Sequence, residues 1–82
     1  MKVIVRQVVS DDWEPIYINN KRIIEDHHTP FYLIFEWLQY FIDVHKDPIT
    51  DISGERYYLS DNYAEEYGFP ERFSDIPEDA FE

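Results

Sequence analysis

The chain has 82 residues, of which 44% are hydrophobic and 18% aromatic, and it carries a formal net charge of −11. This length allows one domain with a modest core, and the apolar content is too high for a disordered chain. The sequence contains no cysteine, which excludes disulfides, thiolate nucleophiles and cysteine-based zinc sites. We therefore predict a single domain of residues 1–82 in a reducing, cytoplasmic compartment.

The composition also limits the partners that we expect. The longest uninterrupted apolar run, residues 31–35, is far shorter than the roughly 20 residues that cross a bilayer. An acidic surface repels anionic lipids and nucleic acids, because phosphates attract Lys and Arg. We expect neither membrane association nor direct nucleic-acid binding, and a basic protein is the predicted partner.

The first strand is predicted over residues 2–9. Apolar and polar residues alternate there, which places Val3 and Val5 on one face and Lys2 and Arg6 on the other. This alternation is typical of a strand with one buried face.

A β-hairpin is predicted next. Residues 13–18 and 21–26 flank Asn19 and Asn20, and asparagine tolerates the positive φ of a two-residue turn. Pro15 cannot donate to a ladder, so we expect the second strand to be an edge or to start with a bulge. A two-residue turn places Ile16, Ile18 and Ile23 on one sheet face and Trp13, Tyr17 and Ile24 on the other.

The main helix is predicted over residues 30–45. Thr29 is a good N-cap, Pro30 a good first residue, and Pro48 disfavours continuation. Apolar residues at helical spacing predict a buried stripe that comprises Phe31, Ile34, Phe35, Leu38, Phe41 and Ile42.

A second apolar stripe on the same helix contains Leu33, Trp37, Tyr40 and Val44. A helix that is apolar on two sides is covered on more than one side. One interpretation is that the C-terminal third of the chain packs over this stripe. The other is that the stripe binds a partner, since Trp and Tyr are enriched at interaction hot spots.

The rest of the chain predicts shorter elements. Residues 47–54 are rich in turn formers and predict a loop, and residues 55–60 predict a fourth strand. A short helix follows, capped by Ser60 or Asp61 and stopped by Gly68. Residues 69–82 predict an irregular acidic tail held to the domain by Phe69, Phe73, Ile76 and Phe81.

The predicted fold class is α+β. We expect a three- to four-stranded, mainly antiparallel sheet packed on the main helix, with a short second helix and the irregular tail completing the domain. Both faces of the sheet carry apolar residues, so each face needs a cover.

No motif in the sequence specifies a reaction. Glu25, His27, His28 and His45 are the most enzyme-like residues. Adjacent residues in extended chain point to opposite sides, so His27 and His28 are poorly placed to bind one ion together unless the chain turns sharply before Thr29. We therefore predict no catalytic residues, no metal ligands and no cofactor. A small metal-dependent enzyme that uses His27 or His28 with Glu25 remains an alternative hypothesis.

The acidic C-terminal half of the chain is the strongest functional signal. Residues 43–82 contain twelve acids and three bases, a net charge of −9, whereas residues 1–42 contain six acids and four bases. Charge of this density suits a surface that binds a basic protein. The candidate partner-binding acids are Glu65, Glu66, Glu71, Asp75, Glu78 and Asp79.

The leading hypothesis is a non-catalytic, acidic protein-binding module. Its most specific form is an inhibitor, encoded by a phage or mobile element, that mimics nucleic-acid charge and blocks a nucleic-acid-handling protein. The alternative hypothesis is a small adaptor or subunit that forms a homo- or hetero-oligomer through the stripe of Leu33, Trp37, Tyr40 and Val44. A plain solubilising role for the acids is also open.

Overall fold

The computed structural model of the chain describes residues 1–28 and 31–82. Four strands form one sheet in the order β3-β2-β1-β4, so the α+β prediction is confirmed. The elements are β1 Lys2–Val9, β2 Ile16–Ile18, β3 Lys21–Ile24, α1 Phe31–His45, β4 Asp51–Tyr58, α2 Asp61–Tyr67 and two 3₁₀ turns, Phe73–Asp75 and Glu78–Ala80.

The predicted hairpin joins β2 to β3. Ile18 pairs with Lys21 across a two-residue turn, in which Asn19 has the expected positive φ of 57°. The ladder contains a bulge between Ile16 and Tyr17, which brings Ile24 opposite Ile16. Ile24 consequently packs on the same face as Ile16, and its predicted place on the other face is wrong.

The second strand is not an edge. It lies between β1 and β3, and Pro15 contributes its carbonyl rather than a donor, accepting a hydrogen bond of 3.0 Å from the Val8 amide. Of the two alternatives that Pro15 predicted, an edge strand or a bulge at the start of β2, the structure has the bulge.

The fourth strand is longer than predicted and runs parallel to β1. The ladder extends from Lys2 opposite Asp51 to Val9 opposite Tyr58. The expectation of a loop over residues 47–54 is therefore wrong for residues 51–54. Turn-forming residues adopt strand geometry here because pairing with β1 outweighs their weak local preference.

The two faces of the sheet are covered by different parts of the chain. The helix face is the side on which α1 packs, and its buried residues are Val3, Ile16, Ile18 and Leu38. The tail face is the opposite side, and its buried residues are Val8, Tyr17, Leu59, Phe69, Ile76 and Ala80. The last three belong to the C-terminal segment, residues 69–82, which thus covers one face of the sheet with two short 3₁₀ turns and irregular chain between them.

Helix α1 is less buried than its apolar sequence predicts. Leu38 is 7% exposed, but Phe35, predicted in the buried stripe, is 61% exposed. The C-terminal segment packs on the opposite side of the sheet, so it does not cover the second stripe. The predicted cap Thr29, the predicted first residue Pro30 and the side chain of Phe31 lie outside the described part of the chain.

Helix α2 lies where the sequence placed it. Ser60 precedes it and accepts a 3.0 Å hydrogen bond from the Ala64 amide through its carbonyl. Gly68, with φ of 71°, ends the helix, and this left-handed conformation is the one that glycine favours. Within residues 1–28 and 31–82, no helix combines the length and apolar character needed to cross a membrane.

Candidate functional site

Arg6 fixes the C-terminal segment to the tail face. Its guanidinium lies 4.6 Å from the centre of the Phe73 ring, and Nη1 donates a 2.7 Å hydrogen bond to the Asn19 carbonyl. Nε lies 3.4 Å from a carboxylate oxygen of Glu55. Arg6 thus lies on the face of β1 opposite Val3, as predicted, and the C-terminal segment covers it there.

Tyr17 is the second anchor of the segment. Its ring is fully buried against Phe73 at 5.7 Å, and its hydroxyl donates a 2.6 Å hydrogen bond to the Pro70 carbonyl. Burial raises the pKa of this hydroxyl well above its ordinary value. The charge of Glu25 also raises the pKa, while that of Arg22 opposes the change.

The β2–β3 turn is the third anchor. Asn20 Nδ2 donates to Ser74 Oγ at 2.9 Å, and Asn20 Oδ1 accepts from the Ser74 amide at 2.8 Å. The Asn20 carbonyl accepts a 2.9 Å hydrogen bond from the Phe73 amide. These three bonds hold the first 3₁₀ turn against the hairpin, so the acids nearby are displayed on an ordered backbone.

The six predicted acids are all exposed, and none of them makes an ion pair with another described residue. Glu65 and Glu66 lie on α2, Asp75 lies in the first 3₁₀ turn, and Glu78 and Asp79 lie in the second. All three elements carry residues that pack into the tail-face core. The structure therefore places these five acids on elements that cover the same face of the sheet.

Glu71 differs from the other five acids. It borders a shallow hollow together with Lys21 and Arg72, and its carbonyl accepts a 2.8 Å hydrogen bond from the Arg22 amide. Two basic side chains beside it reduce the local negative charge. Glu71 is accordingly the least acidic part of the predicted surface.

A cleft of about 510 Å³ opens beside α2. Four carboxylates and two aromatic rings share its lining with no basic residue, although Arg22 reaches one of the acids, Glu25, at 3.7 Å. A cleft lined by both aromatic rings and carboxylates suits a lysine or arginine side chain, because both the charge and the ring faces attract a cation. We call this feature the acidic cleft; it is lined by Ser10, Asp11, Trp13, Glu25, Asp61, Ala64, Glu65, Gly68 and Phe69.

The acidic cleft is built by local contacts. Ser10 Oγ donates a 2.8 Å hydrogen bond to Asp61 Oδ1, which ties the end of β1 to the start of α2. Trp13 stacks on His27 at 4.0 Å and approaches Phe69 at 6.4 Å. The indole is thereby fixed at the border of the cleft, where it is 36% exposed.

The histidines pair with different carboxylates. His27 Nδ1 lies 3.2 Å from Asp12, and His28 Nδ1 lies 3.5 Å from Glu14. Within the described part of the chain, no group of three or more His, Asp or Glu side chains has an arrangement that could hold a metal ion. The two adjacent histidines therefore do not converge on one point.

The second apolar stripe of α1, which we call the aromatic stripe, is only partly covered. Tyr40 and Val44 are each 54% exposed, and Trp37 packs edge-on against Tyr40 at 5.5 Å while its other side contacts the helix-face core. Leu33 is half-buried. The stripe thus offers a small apolar surface on α1, on the side of the sheet opposite the C-terminal segment.

The chain was compared with known protein families, curated proteins and solved structures. No protein-family model, no curated protein and no solved structure matches the chain.

The sequence did not reveal the roles of Trp13, Tyr17 and Asn20. The sequence predicts a sheet face for Trp13 and Tyr17 and a turn for Asn20, but their contacts with the C-terminal segment span about fifty residues of chain. No local pattern predicts contacts over such separations. The only available signal was the presence of four apolar residues in a segment too irregular to form its own core.

Proposed function

We propose that the protein is a non-catalytic module that binds a basic protein through the acidic elements on the tail face. The observation that carries this proposal is the set of exposed carboxylates at Glu65, Glu66, Asp75, Glu78 and Asp79, which form no ion pair with another described residue and lie on an ordered backbone. An ordered acidic surface loses less conformational entropy on binding than a flexible acidic tail does.

The acidic cleft supplies the specific element of this proposal. An acidic surface that served only solubility would need no cavity. In the acidic cleft, a basic side chain of a partner would interact favourably with both the carboxylates and the Trp13 ring. The partner class that fits is a protein with an exposed Arg or Lys cluster, such as one that handles nucleic acid. Occupying that cluster would block nucleic-acid binding, which gives the protein an inhibitory role.

The test compares two variants with equal charge changes. Glu65, Asp75, Glu78 and Asp79 are changed together to Gln or Asn. The matched control neutralises four exposed acids outside the tail-face elements, Glu36, Asp43, Asp47 and Asp51. Each immobilised protein is used to capture partners from a cell lysate. Because a charged patch acts collectively on the rate of association, we expect the first variant to bind its partner more slowly and with a weaker salt dependence. The control should behave like the wild-type protein.

A captured partner then has to meet a functional criterion. The wild-type protein should displace the partner from duplex DNA or RNA, and the first variant should do so poorly. Equal binding rates and equal salt slopes for both variants would contradict the proposal, and the acids would then serve solubility.

A second candidate function is an adaptor that oligomerises through the aromatic stripe. The exposure of Tyr40 and Val44 favours it, since an exposed apolar surface on a helix suits a partner helix. Partner binding through this stripe would change little with salt, whereas binding through the acidic surface weakens as salt increases.

A further inference from the structure

We infer that the protein forms a symmetric dimer in which the β4 strands of two copies pair antiparallel, joining two four-stranded sheets into one. The inference goes beyond the acidic surface, because it concerns the opposite side and the far edge of the sheet. Its basis is the open edge, which we define as the outer side of residues 51–57.

The open edge is a backbone surface that lacks a partner within the described residues. β4 is the last strand of the sheet, and its inner side pairs with β1 along eight residues. Among the described residues, the outer side is closed only at its C-terminal end, where the Glu82 amide donates a 2.7 Å hydrogen bond to the Tyr58 carbonyl and Leu59 bridges Phe81. The other edge, β3, is bonded by the C-terminal segment through Lys21 opposite Arg72.

The direction of the backbone groups follows from the alternation of a strand. The Leu59 amide points inward to Val9, and the Tyr58 carbonyl points outward to Glu82. Successive residues alternate, so Ile52, Gly54 and Arg56 direct their N–H and C=O groups outward. An edge of this kind is a template for another strand.

One register pairs the open edge with itself. A twofold axis at Gly54 lies at the centre of residues 51–57, so all seven residues overlap. Gly54 then faces Gly54 of the second copy, Ile52 faces Arg56, and Ser53 faces Glu55. No like charges are directly opposite in this register, and like charges in such positions destabilise strand pairing.

The neighbouring registers are disfavoured by like charges or by a short overlap. An axis at Ser53 places Asp51 opposite Glu55 twice, an axis at Glu55 places that carboxylate opposite itself, and an axis at Arg56 does the same for the guanidinium. An axis at Ile52 leaves most of the open edge unpaired. The charge pattern of residues 51–57 is therefore complementary to a second copy in the register centred on Gly54.

The side chains next to the edge also favour a second copy. A groove of about 250 Å³ lies between α1 and β4, lined by Val5, Ile34, Phe35, Leu38, Ile52, Ser53 and Gly54. The exposed Phe35 and Ile52 border it. Because the axis is perpendicular to the sheet, both helices lie on the same side, and the grooves of the two copies become adjacent.

The dimensions fit this arrangement. Strands in a sheet are about 4.8 Å apart, so the two β1 strands would lie about 14 Å apart across the paired β4 strands. Packed helices lie about 8–10 Å apart, and Leu38 of α1 packs in one cluster with Val3 of β1 and with Ile16 and Ile18 of β2. The space between the helices is therefore wide enough to take the large side chains of Phe35, Ile34 and Ile52 from both copies.

The first experiment measures association by sedimentation velocity over a range of protein and salt concentrations. Each copy carries −11, so repulsion opposes the dimer and added salt should strengthen it. This sign is opposite to that expected for binding of a basic partner. The salt dependence therefore distinguishes failure of the dimer from failure of the proposed function. A wild-type protein that stays monomeric at every concentration and salt overturns the inference.

The second experiment uses two substitutions of Gly54. Gly54→Pro removes the outward amide of each copy, and we expect at least about tenfold weaker dimerisation from the two lost hydrogen bonds. Gly54→Ala is the matched control, since an added Cβ meets no atom within 4 Å and the amide is retained. Circular dichroism checks the fold of both variants. Equal dimerisation of the proline variant and the wild-type protein overturns the inference.

A third measurement uses the wild-type protein alone, so it tests the dimer even if Gly54→Pro fails to fold. Amide hydrogen exchange of the wild-type protein should slow at Ile52, Gly54 and Arg56 as the protein concentration rises, while the already paired inner amides of β4 should change less. Dimerisation without such protection would place the interface elsewhere, with the aromatic stripe as the remaining candidate, and would overturn the inference.

Discussion

The two faces of the sheet are covered in contrasting ways. The tail face is covered by a largely irregular segment with two short 3₁₀ turns, in which Phe69, Ile76 and Ala80 are buried. The helix face is covered by a regular helix of 15 residues, in which Leu38 is the buried residue among the described side chains.

The reason for the contrast is geometric. A helix is a rod about 10–12 Å wide, while four strands about 4.8 Å apart span a wider surface. One helix therefore covers the centre of the sheet and leaves β4 bare on that side. An irregular segment can follow the surface, provided that its backbone finds partners, and here Tyr17, Asn20 and Arg22 supply them.

A matched pair of leucines tests the contrast most strongly. Leu59→Ala on the tail face and Leu38→Ala on the helix face should each cost about 2–5 kcal/mol. We expect the larger loss at Leu59, which is 2% exposed. The loss at Leu38 should be smaller because the adjacent groove lets the surrounding side chains relax.

The measurement is chemical denaturation with the slope of the transition compared between variants. A larger loss at Leu38 than at Leu59 would reverse the ranking of the two faces. It would also show that the helix contributes more to the core than its exposure indicates.

The second prediction concerns Tyr17 and alkaline pH. Burial raises the pKa of its hydroxyl in the folded protein, so above pH about 10 the unfolded chain loses this proton while the folded chain retains it. The free energy of unfolding should then fall by up to about 1.4 kcal/mol per pH unit for one proton. Below this pH both states hold the proton, and Tyr17 causes no pH dependence.

The variant Tyr17→Phe checks the assignment. At neutral pH it should cost about 1 kcal/mol, because the hydrogen bond to the Pro70 carbonyl is lost. Its loss of stability above pH 10 should be shallower than that of the wild-type protein. A smaller alkaline slope should remain from Tyr57, whose hydrogen bond to Glu55 raises its pKa. Tyr67→Phe, at an exposed position, is the matched control; identical alkaline slopes in all three proteins would contradict the assignment.

The smallest effect is expected at Tyr40. Its ring is 54% exposed on the aromatic stripe, so Tyr40→Ser should change the free energy of unfolding by no more than about 0.5 kcal/mol. Tyr57→Ser on the tail face serves as the comparison and should cost about 1–3 kcal/mol, since Tyr57 packs at 4.9 Å from Phe73 and 5.2 Å from Phe81. A large loss at Tyr40 would mean that the stripe is covered in solution, by a second copy or another part of the chain.

The sequence determined the local elements where a short-range pattern was strong. The alternation in residues 2–9, the Asn19-Asn20 turn, the helical spacing up to His45 and the stop at Gly68 all correspond to observed elements. Each depends on interactions within a few residues, such as a permitted φ or one amphipathic face. The acidic character of the C-terminal half likewise followed from composition alone.

Only the tertiary structure decided which face each segment covers and which residues border the candidate surfaces. The parallel strand over residues 51–54 exists because β1 is available to pair with a sequence of turn formers. Trp13 and Glu65 border one cleft because the hydrogen bond from Ser10 to Asp61 holds α2 at the end of β1. Phe35 is exposed because one helix is narrower than four strands. Such contacts join residues far apart in the chain, and their free energy depends on packing that no local pattern specifies.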